Sequence, residues 1–470
     1  MGKKRKVYKT VTIVDIADKG LSVGREESGE IYMVDGGVPG DVVRILKKRN
    51  RKGVGQGLLT EVLEYSPHRT TPFCTHFEDC GGCKWQHYKY EEQLRSKNKS
   101  VISAIQRIAK CSPDLIGDPI PAPETTFFRN KLEYTFSDKR WITKEEAESE
   151  KDINPGAALG FHRPGAFDKI VDITYCHLQP EPTNLIRNFI RKYALEHGLE
   201  FFNVRKRTGL LRTLMIRTGK EGQVMVVLAC FKDDREDIEN LLDALIAEFP
   251  NLTSVYYVIN SKGNDTILDL PLVLYRGEPF IEESLDDLNF RLGPKSFFQT
   301  NPRQAETLYE LAMDYAGIDE NSVVYDLYCG IGSIALYAAK KARHVVGIES
   351  VPEAIADARV NASINDIENV NFYVGEVENT LNAGFFKDNG MPDVIIVDPP
   401  RAGLHKDVVA AIADSGVKRV VYVSCNPATQ ARDIGMLGDR YDLIKLRTVD
   451  MFPHTSHIET VAQLDLKGTV

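Results

Sequence analysis

The run VVYVSCNP, Val420–Pro427, delivers a thiol to the end of a strand. Val420, Val421, Tyr422 and Val423 are β-branched or aromatic, the composition of a buried strand. Ser424 and Cys425 close it, and Asn426-Pro427 is a turn signal. A residue in that position of a parallel sheet stands at its carboxyl lip, where open α/β sheets bind ligands. A solitary cysteine is most often a small buried hydrophobe, so the surroundings of Cys425 decide what it does.

Upstream, strand and helix patterns alternate with regular spacing. SVVYDLY (322–328) reads as a strand, CGIGS as a glycine turn and IALYAAKKA as a helix. HVVGIES (344–350) is the second strand, PEAIADARVNASIN a helix and NVNFYVGEV the third strand. VIIVD (394–398) is the fourth and runs into DPPR; KDVVAAIADS is a helix, and VVYVS is the fifth strand. Two further strands, YDLIKLRTVDMF and HIETVAQLDL, follow. The pattern predicts a doubly wound α/β sheet with a closing hairpin. KSFFQTN (295–301) precedes a helix expected over Pro302 to Tyr315, with proline at its start as helix starts prefer.

Three features of this region carry chemistry. Asp326-Leu-Tyr-Cys-Gly330-Ile-Gly332 is a strand-to-helix turn whose glycines admit a ligand close to the backbone. It is shorter than the dinucleotide fingerprint and lacks the third glycine. Glu349 ends the next strand, where an acid accepts the ribose hydroxyls of a nucleoside. The pair suits S-adenosylmethionine better than NAD, which brings a pyrophosphate. The competing role for Glu349 is to cap the helix at Pro352. Asp398, in DPPR, faces the same sheet edge and is placed to hold polar groups of substrate or cofactor. Arg401 stands where amino-group methylases often carry an aromatic residue, which argues against methylation of an exocyclic nitrogen.

Cys425 then has a task. Carbon 5 of uracil is a poor nucleophile; a thiolate adding to carbon 6 turns carbon 5 into an enolate carbon able to take a methyl group. The proton on carbon 5 then leaves to a base, and elimination frees the thiol. An ordinary thiol of pKa ~8.5 is only partly ionised at neutral pH. No neighbour in sequence is an obvious activator. The carboxylate candidate is Glu459 in HIETV, which would otherwise be a surface acid paired with an arginine.

The 470 residues are too many for one ordinary core. Hydrophobic residues make up 43% and charged ones 27%, a globular composition. No apolar run approaches the ~20 residues of a membrane span. MGKKRKVYK lacks the apolar segment of a signal peptide, so a cytoplasmic location is expected and disulfides are not. The net charge of −8 excludes a uniformly basic nucleic-acid binder. Residues 1–70, however, hold 14 Lys/Arg against 9 Asp/Glu, as in a phosphate-contacting module on an acidic body.

That basic end carries five short β-like runs, YKTVTIVDIA, SVGR, EIYMVDGG, GDVVRILKKRN and GQGLLTEVLEY, punctuated by glycines. They predict a small OB-like barrel, with Lys47-Lys48-Arg49-Asn50-Arg51-Lys52 as a basic loop between the last two strands. The pattern resembles a TRAM domain, an RNA-binding barrel of some RNA-modifying enzymes. Next, CTHFEDCGGCKWQ places Cys74, Cys80 and Cys83 at C-x5-C-x2-C spacing around Gly81-Gly82. A fourth soft ligand could be Cys111, Cys176 or Cys230; Cys230 sits in the apolar run QVMVVLAC, whereas Cys176 precedes a proline on a turn. A tight trio with one remote thiolate is closer to iron–sulfur than to zinc spacing. Tyr88 to Ala109 reads as an amphipathic docking helix with Lys89, Arg95, Lys97, Lys99 and Arg107. Residues 120–290 read as a strand-rich α+β segment, with helices near 182–197 and 234–248 and strands at 211–217 and 223–229. Arg212 and Arg217 are expected near a surface, and KEEAESEKDINPG as a charged loop.

Along nearly its whole length the chain resembles the RNA (uracil-5-)methyltransferase family, carried in order by FFQTN, DLYCGIGS, DPPRAGL, SCNPAT and DMFPHTSHIETV. Ser333 departs from members that have Asn after the glycine turn. The resemblance implies S-adenosylmethionine as methyl donor and 5-methyluridine as product. It makes Cys425 the nucleophile and Glu459 the proton acceptor, with Gln299, Tyr328, Glu349 and Asp398 lining the cofactor and uracil pocket. Cys74, Cys80, Cys83 and Cys176 match the 4Fe–4S ligands of the ribosomal branch. With the TRAM barrel, this implies 23S ribosomal RNA as substrate and a structural cluster. The expected organisation is a TRAM barrel over 1–66, a central α+β iron–sulfur domain over 67–290 and a class I, Rossmann-like methyltransferase domain over 291–470. The target uridine would be flipped out of its stack. No membrane and no obligate protein partner is implied. The rival readings are the same chemistry on tRNA, cytosine-5 methylation, and a non-catalytic RNA-binding protein.

Overall fold

The structure is a computed structural model that describes residues 6–48, 54–149, 153 and 156–468. The chain divides into two compact units. One comprises Met1–Phe77, Cys83–Thr125 and Asp398–Val470, the other Glu78–Gly82 and Thr126–Val397. Among the described residues no helix is long and apolar enough to cross a membrane.

The first unit begins with a closed five-stranded barrel built from Tyr8–Ile16, Ser22–Arg25, Ile31–Val34, Val42–Lys47 and Gly55–Glu64, the five runs expected. Val11, Ile13, Tyr32, Val34, Val43 and Ile45 fill it. Closure requires the last strand to lie against the third and fourth. A Cβ on Gly55 would sit 2.5 Å from the Tyr32 ring, and one on Gly57 the same distance from Ile45. Only glycine permits that approach. In the expected basic loop, Lys47 pairs with Glu30 at 2.7 Å, and Arg49–Lys52 lie outside the described residues.

The helix Tyr90–Ala104 continues into a wider π turn, Ile105–Ala109. Its inward face is partly polar: Gln93 and Lys97, one turn apart, are buried with Val101 and Ile105. Lys97 was counted among the docking cations in the sequence. Here it is fully buried, and its Nζ lies 2.6 Å from Asp450, also fully buried. The ammonium also donates to the Phe452 carbonyl at 3.0 Å and lies 5.8 Å from the Trp85 ring. At the C-terminal end of the unit, Arg419–Ser424 pairs antiparallel with Glu459–Leu466, which in turn pairs antiparallel with Tyr441–Val449.

The second unit contains a seven-stranded sheet. Its order is Val273–Gly277, Ser254–Ile259, Val224–Cys230, Leu211–Thr218, Lys131–Ser137, Ala158–Arg163 and Ala166–Asp172. Helices Thr183–Glu196 and Arg235–Glu248 lie where the periodicity puts them. Two expectations fail. Arg212 and Arg217 are 2% and 1% exposed. Leu211–Thr218 is covered on both faces, and main-chain oxygens accept from both guanidinium groups: those of Asn260, Lys262 and Asn264 from Arg212, and those of Gly293 and Ser296 from Arg217, whose buried Nε finds no acceptor among the described residues. The charged segment after Trp141 is no simple loop either. Thr143 and Glu146 form a reciprocal capping box that starts the short helix Lys144–Ser149.

The same unit carries four parallel strands in the order Val370–Val374, His344–Glu349, Val323–Leu327, Val394–Val397. The helices Pro302–Ala316, Ser333–Ala339 and Pro352–Ile364 accompany them. Asn301 accepts the Gln304 amide and caps the first of these helices. Asn361 and Asn365 anchor the hairpin Ile281–Leu285/Leu288–Leu292 to the third helix by accepting the Arg291 and Asn289 amides.

Removing one partner of a buried ion pair strands the other charge, which costs about 3–5 kcal/mol. Lys97→Met is expected to destabilise the first unit by that order in urea denaturation followed by tryptophan fluorescence. Lys97→Met with Asp450→Leu is expected to recover much of the loss.

Candidate active site

Cys425 and Glu459 are brought together by strand register. Val423 lies opposite Val461 and Ser424 opposite Thr460. Continuing the ladder by one residue sets Cys425 across from Glu459. The Thr460 hydroxyl donates to the Ser424 carbonyl at 3.1 Å and makes a 2.8 Å bond with Gln430, which pins this end of the ladder. Beyond Cys425, Asn426 caps the helix Pro427–Leu437 by accepting the Ala428 amide. The thiol therefore sits between the strand end read from VVYVS and a helix start, where the sequence signals only a turn.

The DPPR segment completes the cluster. Asn426 Nδ2 donates to the Arg401 carbonyl at 2.9 Å, and the Thr429 hydroxyl does so at 3.3 Å. Arg401 Nη2 lies 3.2 Å from His457 Nδ1. Desolvation pushes the Cys425 thiol up to about 11, and the charges of Glu459 and Asp398 add to the rise. Arg401 opposes it, as a charge and as a hydrogen-bond donor. Burial holds the Glu459 carboxyl well above the usual carboxylate range, with Asp398 raising it further and Arg401 lowering it. Asp398 is pushed up to about 7 by desolvation. The thiol and the Glu459 carboxyl thus share one guanidinium. In the sequence Arg401 signals only the lack of an aromatic residue after DPP; in the structure it is the group that lowers the pKa of both Cys425 and Glu459.

The loop that carries His457 and Glu459 is clamped by the helix Tyr90–Ala104. Lys97 holds Asp450 and Phe452, as described above. Gln93 contacts His454 twice: its Oε1 accepts the His454 amide at 3.0 Å, and its Nε2 lies 3.2 Å from His454 Nδ1. The amides of Lys84 and Trp85 donate to the His454 carbonyl at 2.8 and 3.0 Å. Nothing in the local sequence of these residues signals that role.

Of the expected cofactor residues, Gln299, Tyr328 and Glu349 lie in the second unit. Tyr328 has φ +67°, and Gly330 and Gly332 are also left-handed. The amides of Tyr328 and Cys329 both donate to the Ile348 carbonyl, and the Gly330 amide donates to Glu349 Oε2 at 3.2 Å. The glycine turn and the acid are thereby locked together. A Cβ on Gly330 would meet nothing within 4 Å, so the turn faces open space, as a site for a close-lying nucleoside requires. Glu349 Oε1 accepts the Val351 amide at 3.0 Å, so the capping role is also real. Gln299 is half-buried, and its carbonyl lies 3.5 Å from Asn130 Nδ2.

The metal expectation fares differently. None of the described cysteines is in a disulfide. Cys176 is buried, with its amide bonded to Asn184, and the Gly82 amide reaches Cys80 Sγ at 3.4 Å. Among the described residues no three His, Cys, Asp or Glu side chains gather as a metal site.

A parallel βα sheet with a glycine turn and an acid at the next strand end defines a class I methyltransferase that uses S-adenosylmethionine. Comparison with known proteins agrees. The family described as tRNA (Uracil-5-)-methyltransferase matches residues 277–467. An uncharacterized RNA methyltransferase of Bacteroides thetaiotaomicron is 47% identical over 433 residues, covering 92% of this chain and 95% of the relative. One from Porphyromonas gingivalis is 46% identical, covering 96% and 98%. The crystal structure of Pyrococcus abyssi tRNA (uracil-54, C5)-methyltransferase with S-adenosyl-L-homocysteine is similar at TM-score 0.74 and 29% identity, covering 97% of this chain and 99% of that one. The chain belongs to the RNA uracil-5-methyltransferase family.

Because the thiolate is the reactive form, alkylation of Cys425 by iodoacetamide is expected to climb about tenfold per pH unit up to about 11. Removing a neighbouring negative charge lowers the thiol pKa, so Asp398→Asn is expected to speed alkylation several-fold at a pH near 9. Arg401→Met is expected to slow it. Mass spectrometry of the Cys425 peptide separates these rates from those of the other cysteines.

Proposed function

We propose that this protein methylates carbon 5 of a uridine in a structured RNA through a covalent bond between Cys425 Sγ and carbon 6. The observation that carries this is the pairing of Cys425 with Glu459 under a single guanidinium. The bound S-adenosylmethionine supplies an electrophilic methyl group. Cys425 reacts as the thiolate, its proton passing to water, and forms the C6–S bond while the ring electrons move to give a nucleophilic carbon 5. After methylation Glu459 takes the carbon 5 proton, and the electrons of that C–H bond re-form the C5=C6 double bond as sulfur leaves.

The negative charge of Glu459 opposes ionisation of the nearby thiol, so the two groups disfavour being charged together. A carboxylate held above its usual range is also the stronger base. Asp398, half ionised near neutral pH, is suited to hydrogen-bond the uracil edge in either state.

We assign 23S ribosomal RNA as the substrate, on the barrel and the cysteine pattern. The second reading, a tRNA uridine, is favoured by the whole-chain likeness to the Pyrococcus abyssi enzyme. Methylation of ribosomal fragments and of tRNA from cells lacking the gene separates the two. We also assign Cys74, Cys80, Cys83 and Cys176 to a 4Fe–4S cluster, which supplies no catalytic step.

Cys425→Ala is expected to abolish both methylation and the covalent RNA adduct on denaturing gels. Glu459→Gln is expected to accumulate the adduct while turnover falls by about 100-fold or more. Unchanged methylation by Cys425→Ala would refute the mechanism. Anaerobically purified protein is expected to carry about four iron and four sulfide per chain; zinc in their place would overturn the cluster.

A further inference from the structure

The seven-stranded sheet of the second unit ends at the strand Ala166–Asp172, whose Phe167 is 64% exposed. The Arg205 guanidinium lies over this ring, 5.1 Å from its centroid, and is held by Asp168 at 2.5 Å. Arg205 belongs to the turn Asn203–Thr208, whose backbone is fully organised. The buried Asn203 accepts the amides of Arg205 and Lys206 through Oδ1 and the amide of Arg207 through its carbonyl. Its Nδ2 bonds Asp138 at 2.6 Å. The residues of this turn from Val204 to Thr208 are exposed, three consecutive cations among them. Lys139 lies 3.9 Å from Asp168 on the strand side. Asp168 and Asp138 are both engaged within the patch, and Arg207 Nη2 donates to the Ser261 carbonyl at 2.9 Å.

A chain of net charge −8 gains nothing in folding from displaying an arginine-covered phenylalanine beside Lys206 and Arg207. Aromatic and guanidinium planes are the surfaces on which unpaired bases stack, and adjoining cations track the phosphates. We propose that Phe167, Arg205, Lys206 and Arg207 form a docking platform for a single-stranded segment of the substrate RNA. One base stacks on the Phe167–Arg205 pair, and the two exposed cations contact flanking phosphates. The proposal rests on RNA being the substrate, and it assigns an RNA-contacting role to residues that belong to neither the cysteine–glutamate cluster nor the glycine turn.

The test uses full-length protein and a fluorescent oligouridylate of about twenty nucleotides, read by anisotropy across a salt series. Phe167→Ala is expected to weaken binding about tenfold, and Phe167→Tyr to restore it. Lys206→Ala with Arg207→Ala is expected to reduce the slope of log affinity against log salt by about 1.4. On total RNA from cells lacking the gene, both variants are expected to raise KM and spare kcat, with binding of S-adenosyl-L-homocysteine unchanged as the control for folding. Unchanged affinity and salt slope in both variants would overturn the platform while leaving the methyltransferase reading intact. Loss of binding to phosphatidylserine vesicles without loss of RNA binding would overturn it in favour of a membrane surface. Wild-type protein that methylates no RNA would instead sink the reading on which the platform rests.

Discussion

The antiparallel ladder between Arg419–Ser424 and Glu459–Leu466 is the constraint on which the active cluster depends. It sets a thiol opposite a carboxylate across one step of the sheet. Register in a sheet has a period of two, so a slip of one residue would turn Glu459 to the opposite face. The structure guards against that slip at both ends. Thr460 bonds the carbonyl before Cys425, and Arg419 pairs with Asp465 at the far end of the ladder at 2.7 Å. The loop entering the last strand is then held by a buried lysine and a buried glutamine on a helix more than 300 residues earlier in the chain.

The result is a site whose resting state is closed to chemistry. Cys425, Glu459 and Asp398 all have raised pKa values, each chiefly because burial disfavours its charged form. A thiol held in that state resists oxidation and stray alkylation, since reactivity follows the thiolate. Arg401 is the one group among the causes of these shifts that pulls the thiol and Glu459 downward.

Much of this was legible from residue order. The strand ends at Cys425, Glu349 and Asp398, the glycine turn and the five barrel strands all lie where hydrophobic period and turn residues put them. Local patterns report local geometry, and a parallel sheet repeats the same βα unit. The failures share one cause. Arg212 and Arg217 look like surface residues because charge implies solvent, yet main-chain oxygens can satisfy a guanidinium as well as water does. Lys97 looks like a docking cation for the same reason. Thr143 and Glu146 carried a capping signal inside a segment read only for its charge.

The sequence by itself determined the elements and the chemistry available at their ends, because side-chain period and turn propensity act within a few residues. Only the tertiary structure decided which ends meet. The pairing of Cys425 with Glu459, the influence of Arg401 on both and the grip of Lys97 on the loop before Glu459 arise between residues that are tens to hundreds of positions apart. Their contacts follow from strand register and from the burial of charge, and neither quantity is defined until the chain has folded.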